Sequence, residues 1–180
     1  MGDEPNTVVD RIAEAVGWTG AVAPKYDWDH VEKRLKTPFP ADYQAFMARF
    51  PSCFFRDSLR LWNPIQNTAG LRRFTEDFTR HLANVNEGRE YYPEIPAAFP
   101  QPGGVIPFAD DAAGGVLFWS PRTADPDGWH VVYQSSSLPD VWRSTRRSMT
   151  AVLLEFATSR STRNLLRWDM SGKDRSIELF

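Results

Sequence analysis

The sequence predicts an α+β protein, and three observations carry the prediction. Apolar residues recur at helical spacing in several separate stretches. Residues 105–134 break instead into short apolar segments divided by turn residues. The chain has 180 residues, 42% of them hydrophobic, enough to bury one sizeable core.

Val8, Val9, Ile12 and Val16 mark a first amphipathic helix, with Asn6 or Thr7 as cap and Gly17 as stop. Trp28, Val31, Glu32 and Leu35 mark a second, capped by Asp27. Pro38 and Pro40 impose an extended entry to a third, in which Tyr43, Phe46, Met47 and Phe50 form one stripe that ends at Pro51. Leu59 to Trp62 reads as a short strand. Leu71, Phe74, Phe78 and Leu82 give a fourth helical stripe, capped at Asn67 or Thr68 and stopped at Gly88. Four prolines between Tyr91 and Gly104 make that segment a connector, because proline interrupts both helix and ladder.

Val105–Ala109, Gly115–Ser120 and Gly128–Gln134 form an antiparallel meander, with Asp110 to Gly114 as the first turn and residues 121–127 as the second loop. Val116, Leu117, Phe118 and Trp119 are all apolar, which predicts a central strand covered on both faces. Asp140 to Thr145 is a candidate fourth strand, and Ser148 caps a last helix that buries Val152, Leu153 and Phe156. The tail after Arg160 fits a docked helix, an edge strand at Ile177 to Phe180, or a mobile end. Trp28, Tyr43, Phe46, Phe108 and Trp119 are expected in the core.

Composition excludes several classes. The net charge of −2 offers no global basic field for nucleic acid, so no direct nucleic-acid partner is expected. Cys53 is the one cysteine, so no internal disulfide forms, which fits a reducing compartment. The start lacks a basic segment followed by an apolar run, and the longest apolar runs, such as Val152 to Leu154, are too short to span a bilayer. A cytoplasmic location and no membrane partner are expected.

Catalytic chemistry is not evident. His30, His81 and His130 lie far apart with no metal-ligand spacing, and Cys53 has no activating neighbour. No nucleophile elbow or phosphate loop occurs. No metal and no cofactor are expected. Asp110 and Asp111 are adjacent. In one reading an aspartate caps the turn through backbone N–H groups; in the other, one is exposed to a partner. Charge is patterned: residues 89–142 carry seven acidic and two basic side chains, and residues 143–175 carry eight basic and three acidic. The two regions either pair internally or present acidic loops that steer a basic partner.

Several segments together resemble the SMI1/KNR4 family of the SUKH superfamily, of the bacterial immunity-protein type. They are Trp28 to Glu32 before Leu35; Phe39-Pro40-Ala41-Asp42-Tyr43 through Met47; Val105 to Asp111 with Gly114 to Trp119; Trp129 to Val132; and Trp142 followed by the helix to Phe156. The resemblance spans roughly residues 27–158 of one domain covering 1–180, with 160–180 as an extension. Pro51-Ser52 stands where family members often carry glycine, and the helix around Leu71 to Arg89 is less typical. The resemblance implies a single, mostly antiparallel sheet of about five or six strands with helices packed against it. It also implies a non-catalytic immunity protein that binds and occludes a toxin, often a nuclease or deaminase. The candidate partner-binding residues are Asp110, Asp111, Asp125, Asp127 and Trp129, the aspartates meeting basic residues of the toxin and Trp129 serving as anchor. A general interaction module and an enzyme with an unrecognised site, which a deep polar pocket around His130 and Asp110 would favour, stand as alternatives.

Overall fold

The computed structural model describes residues 4–111, 113–138 and 140–180. Five helices and seven strands follow in the order α1 (Pro5–Ala15), α2 (Trp28–Leu35), α3 (Ala41–Arg49), β1 (Cys53–Phe55), β2 (Leu59–Leu61), α4 (Thr68–Tyr91), β3 (Ile106–Asp111), β4 (Val116–Ser120), β5 (His130–Gln134), β6 (Trp142–Thr145), α5 (Met149–Thr158) and β7 (Ile177–Leu179). The strands make one sheet in the order β6-β5-β4-β3-β2-β1-β7, with every neighbouring pair antiparallel.

The strand period of two divides the sheet into a major and a minor face. Cys53, Phe55, Leu59, Leu61, Leu117, Trp119, Val131 and Tyr133 point to the major face, where they meet the buried stripes of α1, α3 and α5 in the main core. Trp119 is the hub. Its ring lies 4.6 Å from Phe108, 4.9 Å from Tyr43 and 5.8 Å from Phe39. Burying a side chain of this kind contributes about 1.5–3 kcal/mol. The minor face holds a smaller cluster of Val85, Ile95, Ala98, Val105, Val116 and Phe118. Leu117 and Trp119 therefore look one way and Val116 and Phe118 the other, as the all-apolar strand predicted. Helix α4, about 36 Å long, crosses the sheet. It buries Leu71, Phe74 and Phe78 in the main core and Val85 in the small one.

Asp27, Asn67 and Ser148 cap their helices as expected, accepting from the backbone N–H of His30, Gly70 and Ala151. Three boundaries differ. Helix α1 starts at Pro5 with Glu4 before it, because the fixed proline φ already suits a first turn. Helix α4 runs through Gly88 to Tyr91. The connector packs so close there that an added Cβ at position 88 would lie 3.1 Å from Ile95 Cδ1. Strand β3 continues through Asp110 and Asp111, past a bulge between Pro107 and Ala109.

The sheet gains β1 over the expected set, and the tail takes its edge-strand alternative as β7. Three residues carry too little alternation to read as a strand alone, and each is held by its neighbour. The tail docks through Arg56, only 1% exposed, in the β1–β2 turn. Arg56 takes the left-handed conformation (φ 53°), which costs about 1 kcal/mol or more. In return its guanidinium donates to the carbonyls of Phe156, Ser159, Lys173 and Asp174. That one side chain joins the C-terminal end of α5 to the segment entering β7.

Candidate partner-binding surface

Strand register places seven residues in one row across the minor face: Glu178, Phe54, Arg60, Asp110, Val116, Gln134 and Trp142. Arg60 and Asp110 meet in this row as a fork, Nε at 2.9 Å and Nη2 at 2.8 Å from the two carboxylate oxygens. His81 Nε2, from α4, lies 3.2 Å from Asp110 Oδ2, and Arg80 Nη2 lies 3.6 Å from it. Burial alone would raise the pKa of Asp110, but the bonds from His81 and Arg60 outweigh it and hold the carboxyl below the usual aspartate value. The carboxylate accepts from His81 Nε2–H, and the buried Nδ1 of the same ring has no hydrogen-bond partner among the described residues.

Asp77 joins the cluster by accepting from Trp62 Nε1 at 2.7 Å and from Arg80. Asp77, His81 and Asp110 bring one ligand atom each within 4.8 Å of one another, the spacing of a cation site. The oxygens are already engaged, and two guanidinium groups would repel a cation, so the trio fits an ion-pair cluster better than a metal centre. A cleft of about 10 Å³, room for about one water, opens beside it between Trp62, Phe74 and Phe78.

Asp111 turns to the opposite face. Its Oδ1 accepts from the N–H of Ala113 (2.8 Å) and Gly115 (2.7 Å), and its Oδ2 from Tyr133 Oη at 2.6 Å. This is the turn-capping reading of the Asp110-Asp111 pair. Burial, with the adjacent Asp111 carboxylate, pushes the Tyr133 hydroxyl well up. An added Cβ at Gly115 would lie 2.4 Å from Asp111 Oδ2, so glycine is required for the carboxylate to sit there.

The candidate partner residues therefore divide. Asp110 is 4% exposed and Asp111 3%, both turned inward, so neither carboxylate is offered at the surface. Trp129 is 7% exposed, packed 6.3 Å from the Trp119 ring, with Nε1 donating to the Thr123 carbonyl. It anchors the β4–β5 loop from below instead of reaching outward. Asp125 and Asp127 are exposed at the tip of that loop, in a short 3₁₀ turn over Pro126–Gly128. Asp125 Oδ1 accepts from Asp127 N–H at 3.1 Å. Asp127 Oδ1 accepts from Ala41 N–H at 2.6 Å, supplying the first turn of α3 with the side-chain cap that Pro40 cannot provide. Asp42, in that turn, reaches on to α5, accepting from Thr150 N–H at 2.8 Å and Thr150 Oγ1 at 3.0 Å. Loop, α3 and α5 are thus chained end to end through carboxylates at helix N-termini.

His130 does not join Asp110. It lies beyond the small cluster, in a separate open groove with Ser120, Arg122, Val132, Ser144, Thr145 and Arg146. Sequence reading missed the Arg60–His81–Asp77 grouping. Its one available signal was Arg60 itself, which an alternating Leu-Arg-Leu-Trp strand must place opposite the leucines; its partners come from 17 to 50 residues away.

Comparison with family models matches residues 23–154 to the SMI1 / KNR4 family (SUKH-1). The chain belongs to that family. The match contains α2, α3, α4, the meander and the first half of α5, which supply much of the main core, and leaves α1 outside it. Comparison with curated proteins and with solved structures returns no match. Among the described residues no helix is long and apolar enough to cross a membrane.

Proposed function

We propose that this chain is a bacterial immunity protein that neutralises a cognate toxin, a nuclease or deaminase with a basic active-site cleft, by occluding it in the cytoplasm without catalysis. Membership of the SMI1/KNR4 family supports a protein partner. The observation that carries the reading is the β4–β5 loop, where Asp125 and Asp127 are exposed on a turn already locked by Trp129, Thr123 and Ala41. A preorganised acidic turn avoids most of the ordering cost of binding and meets a basic surface without rearrangement. Trp129 supports that turn from inside, while Asp110 and Asp111 are spent on β3 and the β3–β4 turn.

The test is rescue of growth. A toxin-like gene beside this one is expressed in a sensitive host with and without the chain, and the chain is expected to restore growth. Asp125→Lys with Asp127→Lys is expected to abolish rescue by a protein that still folds. Full rescue by that double variant would move the interface elsewhere. Failure of the unaltered chain to rescue would favour a general interaction module.

A further inference from the structure

We propose that the groove between β4, β5 and β6 on the minor face binds a small, multiply charged phosphate compound, independently of the Asp125 and Asp127 side chains and of any toxin. The register builds it: Ser120 opposes His130, and Val132 opposes Ser144, so these four side chains lie together on one face past the Phe118–Trp142 ring pair. Arg122 enters from the β4–β5 loop and Arg146 from the end of β6, and they border an open space of about 470 Å³, the size of a small-ligand site.

The charge is uncompensated. Three arginines lie in or just after β6, and two are consumed. Arg143 donates to the Leu166 carbonyl over the Tyr133 ring, and Arg147 forms a fork with Glu155 at 3.0 and 2.9 Å. Neither Arg146 nor Arg122 has a carboxylate partner among the described residues, and no carboxylate lines the groove. Ser120 is a second, independent sign. It is only 9% exposed, lines the groove, and has no side-chain hydrogen bond among the described residues. Its hydroxyl opens to the groove and is free to donate to an acceptor that enters it.

The donor set selects the ligand. Two guanidinium forks, the hydroxyls of Ser120 and Ser144 and an imidazole supply more donors than one carboxylate can accept, whereas a diphosphate presents acceptor oxygens on every side. No Phe, Tyr or Trp lines the groove to stack successive bases, which disfavours a single-stranded nucleic acid.

The experiment is calorimetric titration of the full chain with inorganic pyrophosphate at low salt, with citrate and a thymidine oligonucleotide in parallel. Pyrophosphate is expected to bind at one site and to weaken as salt rises. Arg122→Ala with Arg146→Ala is expected to reduce the affinity at least tenfold with the melting temperature unchanged, since both side chains are exposed. Asp125→Lys with Asp127→Lys is expected to leave pyrophosphate binding in place, which separates this site from the toxin reading. Absence of heat with pyrophosphate, binding that survives the double arginine change, equal affinity for citrate, or a preference for the oligonucleotide would each overturn the proposal.

Discussion

Replacing Arg60 with alanine is expected to destabilise the fold by about 2 kcal/mol, through the carboxylate it leaves behind. Removing one partner of a fully buried ion pair costs about 3–5 kcal/mol. Asp110 is fully buried, but Arg60 is 35% exposed, and His81 and Arg80 remain beside the carboxylate, so the loss falls below that range. For a chain of this length, about 2 kcal/mol lowers the melting temperature by roughly 4–8 °C. Urea unfolding followed by tryptophan fluorescence, with calorimetry alongside, measures it. Arg60→Ala combined with Asp110→Ala should cost less than the sum of the single changes by about 1 kcal/mol or more, because the stranded charge is gone. The sign with pH follows from the same geometry. The Asp110 carboxyl titrates below its ordinary value in the folded chain. Its contribution is therefore complete above the unfolded value of about 4 and is lost as pH falls through the folded one. The stability gap between the unaltered chain and Asp110→Asn should be widest near neutrality and shrink below about pH 4. A loss under about 0.5 kcal/mol for Arg60→Ala, the size of an ordinary surface change, or strict additivity in the double variant, would refute the reasoning.

Two further predictions concern the joints between elements. Arg56→Ala strips donors from four carbonyls at once and should cost about 3 kcal/mol; it should also make residues 159–176 the first site of limited proteolysis. Cleavage that begins elsewhere, at an unchanged rate in this segment, would show that Arg56 does not hold the tail. Asp42→Ala removes the carboxylate from the N-terminus of α5 and should cost about 1–2 kcal/mol, seen as a lower urea midpoint with unchanged slope. Asp42→Asn should recover part of it, since the amide oxygen still accepts.

Helices α2, α3, α4 and α5 were legible in the sequence because each carries its own stripe, and three of them an Asp, Asn or Ser at the start that binds a nearby backbone N–H. The meander was legible for the same local reason, and β4 announced its central place by being apolar on both faces. The family, too, was readable from ordered short segments.

Tertiary structure alone decided the rest. Strand β1 exists because β2 and β7 complete its hydrogen bonds on either side, a term no three-residue window contains, and the same pairing chose the edge strand among the alternatives open to the tail. Whether Asp110 faced water or the interior turned on its register opposite Arg60 and on a helix arriving from 29 residues earlier. A charged side chain looks the same in sequence whether it is solvated or paired, because the partner that settles the matter is brought by the fold. Asp125 and Asp127 stayed at the surface while Asp110 and Asp111 turned inward, although all four looked alike as loop carboxylates. The sequence by itself determined where chain segments could bury apolar surface; which charges they carried inside was decided by what stood across the sheet.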